Sequence, residues 1–261
     1  MGLLLILGMG VGTGILLGLT GIGSGSVLTP VLILFGGLPP ATAVGTSLVF
    51  AFATKFVGSW RFYQRAQVDM VVISRVCGGA LPGLLIGIGV VLRLRGTSPN
   101  FENLFLLRAI GVALIGVAVL MVARFLPSTE SHPVVQRLTS FCARHERALI
   151  LSTGFAVALM VTLTSIGAGA ALVPALYLIS RRGSGSLVGT SIFFGTILSA
   201  VGGLLHAGTG DVDPRVAGIL AAGSFPGIWL ASHVHGHLPR VVTEGSIATA
   251  LLALGLRFLF F

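Results

Sequence analysis

Two short segments of this chain combine glycine, threonine and serine in a pattern suited to holding an anion: Thr20-Gly-Ile-Gly-Ser-Gly-Ser26 and Thr164-Ser-Ile-Gly-Ala-Gly-Ala170. Each glycine weakens a helix by about 1 kcal/mol relative to alanine, so the backbone is expected to unwind at Gly21, Gly23 and Gly25, and again at Gly167 and Gly169. Short apolar runs follow at 27–36 and 171–180, with Pro30 and Pro174 expected near their first turns, where a missing amide donor matters least. A helix that starts at such a break turns its amide N–H groups and the positive end of its dipole toward whatever the break lines. Thr20, Ser24 and Ser26 would add hydroxyl donors in the first segment. Thr164 and Ser165 would do so in the second, where Ala168 and Ala170 replace two of the serines, so the first copy is expected to be the richer in donors. Thr46 and Ser47 after Gly45, and Thr190 and Ser191 after Gly189, complete an oxyanion cage if they face the same cavity; otherwise they bond back to their own helices. Glycines at alternate positions cannot share one packing face. Gly10/Gly14/Gly18 and Gly79/Gly83/Gly87, four apart, read instead as stripes for close helix packing.

Other chemistry is sparse. Lys55, Arg75 and Arg108 are the cations nearest the interiors of apolar runs, where ionisable groups are functional candidates; Lys55 and Arg75 are read as snorkelling toward the membrane surface. His206 stands beside a loop as a proton-relay candidate. His233-Val-His-Gly-His237 has no neighbouring carboxylate or thiolate in sequence, and no metal site is assigned to it. There is no Gly-x-x-x-x-Gly-Lys phosphate loop, and the apolar runs hold no paired carboxylates or nucleophile with its base, so neither an enzyme nor a cofactor is expected. Cys77 and Cys142 form no disulfide framework.

The elements that must position the two segments follow from composition. Hydrophobic residues make up 54% of the 261 and charged residues 9%, against roughly a quarter charged in soluble domains. The reading is an all-α polytopic membrane protein, with the lipid bilayer as its partner. Continuous rather than alternating apolar runs argue against a barrel. The start MGLLLILGMG has no cation ahead of its apolar run and reads as the first helix rather than as a cleaved signal. The net charge of +9 comes from arginines near span ends, where they orient a membrane protein, so nucleic acid is not a partner.

Residues 20–83 repeat at 164–227 without a gap, and 21 of the 64 aligned positions are identical. The expected organisation is a first transmembrane repeat over 1–126, a cytoplasmic linker over 127–147 and a second repeat over 148–261, each with about five segments including a discontinuous short helix at its break. The segments fall at 2–19, 27–36, 41–60, 70–92 and 104–124, then 148–163, 171–180, 186–205, 215–233 and 241–258. Whether 2–36 crosses twice or re-enters is open. Asp69 and Asp213 head equivalent spans as N-terminal caps. Arginine bias is opposite in equivalent loops: 36–40 has none while 180–184 holds Arg181 and Arg182, and 61–67 carries Arg61 and Arg65 while 205–211 carries none. That pattern predicts inverted repeats, with 61–67, 180–184, the linker and Arg240 cytoplasmic and 36–40 and 205–213 outside. Arg93 and Arg95 fall outside and break the rule.

The full pattern of Gly21-Ile-Gly-Ser-Gly25, Pro30, Pro39-Pro40 and Ala43-Val44-Gly45-Thr46-Ser47, with Thr164–Pro174 and Gly189-Thr190-Ser191 as its second copy, resembles the TauE/SafE family of sulfite and organosulfonate exporters. It departs from the commoner pattern at Ser24 and Ala168, where glycine often stands, and at Gly183-Ser184, which lacks the Pro-Pro. The resemblance implies export of a small sulfur oxyanion or organosulfonate across a prokaryotic cell membrane. Alternating access, with the anion held between two half-helix starts near the midplane, agrees with the residues. An anion channel of the same architecture is the alternative, and a homodimer is a candidate assembly.

Overall fold

The computed structural model describes residues 2–20, 25–96, 98–123, 145–169, 171–179, 184–234 and 240–260. Its helices are α1 (Leu3–Thr20), α2 (Gly25–Leu34), α3 (Pro40–Gln64), α4 (Met70–Arg95), α5 (Pro99–Ala123), α6 (Glu146–Thr164), α7 (Leu172–Ile179), α8 (Ser184–Gly208), α9 (Pro214–Val234) and α10 (Arg240–Phe260). No strand occurs among the described residues. The expected linker lies almost wholly outside them, as does Cys142. Five of the helices, within α3, α4, α5, α6 and α8, are long and apolar enough to cross a membrane. Large apolar side chains on their outer faces, among them Phe56, Trp60, Leu85, Val112 and Leu204, are exposed, as a hydrocarbon solvent permits. The chain is a multi-pass membrane protein. The short helices are different: α2 has 10 residues and α7 has 8, about 15 and 12 Å long, or half a bilayer or less.

The start of α2 differs from expectation. It begins at Gly25, not Val27, so Pro30 falls in its second turn, where it withholds the amide that would otherwise reach the Ser26 carbonyl. Pro174 is the third residue of α7, in the first turn as expected. Asp69 accepts hydrogen bonds from the amides of Val71 and Val72, and Asp213 from that of Val216, so both act as the expected caps.

Packing joins one half of the chain to the other. The most extensive contacts pair α1 with α9, α4 with α6, α3 with α8 and α5 with α10. The details recur 144 residues apart. Gly79 of α4 lies on the Leu151 backbone of α6, and Gly223 of α9 on the Leu7 backbone of α1; Gly83 lies on Phe155, and Gly227 on Val11. Gly111 and Gly255 meet each other's turns between α5 and α10. The amide of Asp213 donates to Thr46 Oγ1 (3.0 Å), and that of Asp69 donates to Thr190 Oγ1 (2.9 Å). Such mutual exchange is the pattern of an isologous interface, here within one chain. The Gly10/Gly14 and Gly79/Gly83/Gly87 stripes lie in the α1–α9 and α4–α6 contacts. Without a hydrophobic driving force in lipid, close backbone approach supplies the association energy.

A methyl group in that contact should be costly. Gly154→Ala places a Cβ on the Val76 carbonyl of α4, and its overpacking should lower stability by about 1–3 kcal/mol. Gly116→Ala, which meets nothing within 4 Å, should be neutral or slightly stabilising. Thermal unfolding of the two variants in detergent micelles checks the contrast.

Candidate functional site

The two glycine breaks meet. A Cβ on Gly25, the first residue of α2, would collide with the carbonyl and hydroxyl of Ser165, just past the end of α6. Gly25 and Ser26 are buried, as are Thr164, Ser165, Gly167 and Ala168. Thr20 ends α1, but its side chain and residues Gly21, Gly23 and Ser24 lie outside the described residues, so the greater donor count expected of the first break falls mostly there.

The second break shows why it exists. Ser165 sits at φ +60° and Gly167 at φ +107°. A left-handed conformation costs a non-glycine residue roughly 1–2 kcal/mol, and the equivalent first-half position is Gly21. Serine is therefore kept where glycine would be easier. Its amide donates to the Val161 carbonyl and ends α6, while its Oγ is buried with no hydrogen-bond partner among the described residues. Thr164 Oγ1 donates to the Met160 carbonyl (2.6 Å) and accepts from the Ile166 amide (3.2 Å), which ties the break down.

A second such hydroxyl lies beside the same break. Ser191 on α8 is 1% exposed, and its Oγ has no partner; it lies 3.9 Å from where a Cβ on Gly169 would stand. Its first-half counterpart is fully engaged: Ser47 Oγ donates to the Val44 carbonyl (2.9 Å) and therefore accepts from Thr29 Oγ1 (2.7 Å). The residue equivalent to Thr29 is Val173, which has no hydroxyl to offer. An unmade hydrogen bond at a buried hydroxyl costs about 1–3 kcal/mol, so two such groups beside one break mark a place where a ligand can complete them.

Thr46 and Thr190 join the two halves. Both accept amides of the opposite half, from Asp213 and Asp69, and so brace the frame. Lys55 departs from the snorkelling expected of it. Half-buried in the middle of α3, its Nζ lies 3.7 Å from where a Cβ on Gly195 would stand, and Ala168 Cβ lies 3.4 Å from the same point. The chain's only lysine thus faces the same spot on α8 as Ala168 of the second break. Sequence reading missed this because direction around a helix follows from its partner, α8, and the signal that remained was the lack of a lysine at the equivalent Ser199.

The remaining candidates are accounted for separately. Arg75 Nη1 lies 4.0 Å from Glu146 Oε1, between the starts of α4 and α6, and Arg108 is exposed on α5. Arg95 forms an ion pair with Asp211, so one of the two arginines that break the charge rule is neutralised locally. His233 Nδ1 donates to the Trp229 carbonyl (2.9 Å), while His235 and His237 lie outside the described residues. An apolar groove of about 260 Å³ between α3 and α8 is lined by Phe52, Phe56, Trp60 and Phe193, with Ser59 and Thr196 also on its wall.

Comparison with known proteins agrees with this architecture. The sulfite exporter TauE/SafE family matches residues 6–258. The probable membrane transporter protein YjnA of Bacillus subtilis is 30% identical over 251 residues, covering 96% of this chain and 97% of the relative. YunE of the same organism, also a probable membrane transporter protein, is 25% identical, covering 94% and 90%. A probable membrane transporter protein of Xylella fastidiosa is 29% identical over 73% of this chain and 68% of its own length. No solved structure matches. With a family match over nearly its whole length and a relative at this identity, the chain belongs to the TauE/SafE sulfite exporter family.

Proposed function

We propose that this membrane transporter exports small sulfur oxyanions, such as sulfite, or organosulfonates by alternating access, holding one anion where the two glycine breaks meet. The observation that carries the reading is the pair of buried hydroxyls, Ser165 and Ser191, that have no hydrogen-bond partner among the described residues, at a break whose Ala168 faces the same spot on Gly195 as the Lys55 ammonium. Hydroxyl donors and one cation are what a small oxyanion takes in place of its hydration shell. In this reading the starts of α2 and α7 add amide donors, and Gly25, Ser26, Gly167 and Gly169 line the site.

The two halves, 1–126 and 148–261, are inverted repeats in this reading, joined by the cytoplasmic linker 127–147. Opposite arginine bias in equivalent loops supports it, and the Arg95–Asp211 pair removes part of the contrary charge. Two mutually exchanged halves, each with one broken helix, can rock about a shared site.

A thermal-shift panel of sulfite, sulfate, thiosulfate and sulfonates on the purified protein tests this reading. A true ligand at 100 times its Kd should stabilise the protein by about 2.7 kcal/mol. Ser165→Gly and Ser191→Ala should hold or raise the stability of the ligand-free protein, because each removes an orphan hydroxyl, while shrinking the ligand-induced shift. Ligand shifts equal to wild type in both variants would overturn the site.

A further inference from the structure

The C-terminal end of α8 carries a buried ionisable cluster that the anion site does not use. His206 is 0% exposed, and its Nε2 donates to the Thr162 carbonyl of α6 (2.9 Å), two residues before Thr164 and the second break. In the neutral ring this leaves Nδ1 bare, and Nδ1 is buried without a hydrogen-bond partner. Asp211 Oδ2 lies 3.9 Å from it. Asp211 is itself 5% exposed; it pairs through Oδ1 with Arg95 of α4 and accepts from Thr209 Oγ1 (2.7 Å). Arg95 also donates to the Thr209 carbonyl (2.6 Å). From α3, Gly45 packs on the Asp211 carbonyl and His206 Cβ. The other nearby charge, Asp213, is occupied capping α9.

The other half shows that the frame does not need these groups. Gly189, the equivalent of Gly45, packs in the same way on the Gln67 carbonyl and the Phe62 ring. Phe62 and Gln67 are the counterparts of His206 and Asp211. One copy of this corner is thus built without an ionisable pair, and the other holds a histidine whose vacant ring nitrogen faces a carboxylate. A proton on Nδ1 converts that unmade contact into an ion pair across 3.9 Å.

We infer that His206 is a reversible proton-binding site, with Asp211 as its counter-charge and Arg95 holding that carboxylate in place, and that its protonation couples proton movement to transport through the bond to Thr162. The proton binds to and leaves from the same nitrogen, with no other bond made or broken. The coupling rests on the anion-transport reading above; the protonation does not.

Two measurements test it. Nitrogen NMR of the histidine-labelled transporter, with His206→Gln assigning the signal, should show an Nε2–H ring at alkaline pH that becomes imidazolium as the pH falls. Asp211→Asn should move that change to more acid pH. A His206 ring that keeps one neutral tautomer over the whole range in which the protein is folded would overturn the inference. In proteoliposomes, a gradient of sulfoacetate, whose charge is fixed around neutral pH, should drive a change in internal pH with the wild-type protein. That signal should fall to the level of protein-free liposomes in His206→Phe, which installs the residue already accommodated at position 62. A full proton signal in His206→Phe also overturns the inference. If the wild-type protein carries neither sulfoacetate nor sulfite, it is the anion reading that fails, and the NMR titration still decides the proton site.

Discussion

Gly25→Ala is expected to lower anion flux by about tenfold or more while the protein still reaches the membrane. The reason is local. Position 25 is where α2 begins and where the first break presses on the second, so an added Cβ points into the carbonyl and hydroxyl of Ser165. The neighbour is backbone rather than the end of a flexible side chain, and Ser165 already occupies a left-handed conformation that resists adjustment. Overpacking of this kind costs about 1–3 kcal/mol, which here must be relieved by parting the two breaks. Each 1.4 kcal/mol lost from the bound state is a factor of ten in affinity. The control is Gly12→Ala on α1, where a Cβ meets nothing within 4 Å, and flux should stay at the wild-type level. Efflux from proteoliposomes loaded with sulfite, normalised to reconstituted protein, measures both. Equal flux in the two variants would mean that the contact between the breaks is not part of the transport path.

Much of this frame was legible from residue order because its determinants are local. Apolar run length and the caps Asp69 and Asp213 set the helices within a few residues of their observed ends. Glycines four apart identified the stripes on α1 and α4. Features that depend on a distant partner were not legible. Thr46 and Thr190 follow a glycine in equivalent runs, and nothing near them in sequence shows that their hydroxyls meet the amides of Asp213 and Asp69 in the other half. Pro30 is expected in or near the first turn, yet it falls in the second because α2 begins two residues earlier, at Gly25, which is held against Ser165, and tertiary packing outweighs the weak helix propensity of glycine. The value of Ser191 emerges only from comparing the copies: Thr29 satisfies Ser47, and Val173 cannot satisfy Ser191.

Lys55→Met should reduce anion affinity about ten- to a hundredfold, the equivalent of the roughly 1.5–3 kcal/mol that a hydrogen bond to a charged group contributes. Lys55 lies mid-span in α3, and its ammonium is directed at Gly195 and Ala168 rather than at the membrane surface. Among the described residues no acid forms an ion pair with it. A cation at that depth is tolerated when it faces a cavity or a counter-charge, and the anion is the counter-charge this reading provides. The variant should therefore separate binding from stability. Methionine keeps much of the apolar stem and removes a charge that is uncompensated in the ligand-free protein, so the melting temperature without ligand should hold or rise while the shift produced by sulfite shrinks. Lys55→Arg keeps the charge in a broader group and should retain part of the affinity. A lysine with a purely structural role predicts the reverse, a lower melting temperature in Lys55→Met with the sulfite shift intact. Thermal unfolding of the two variants with and without sulfite distinguishes these outcomes.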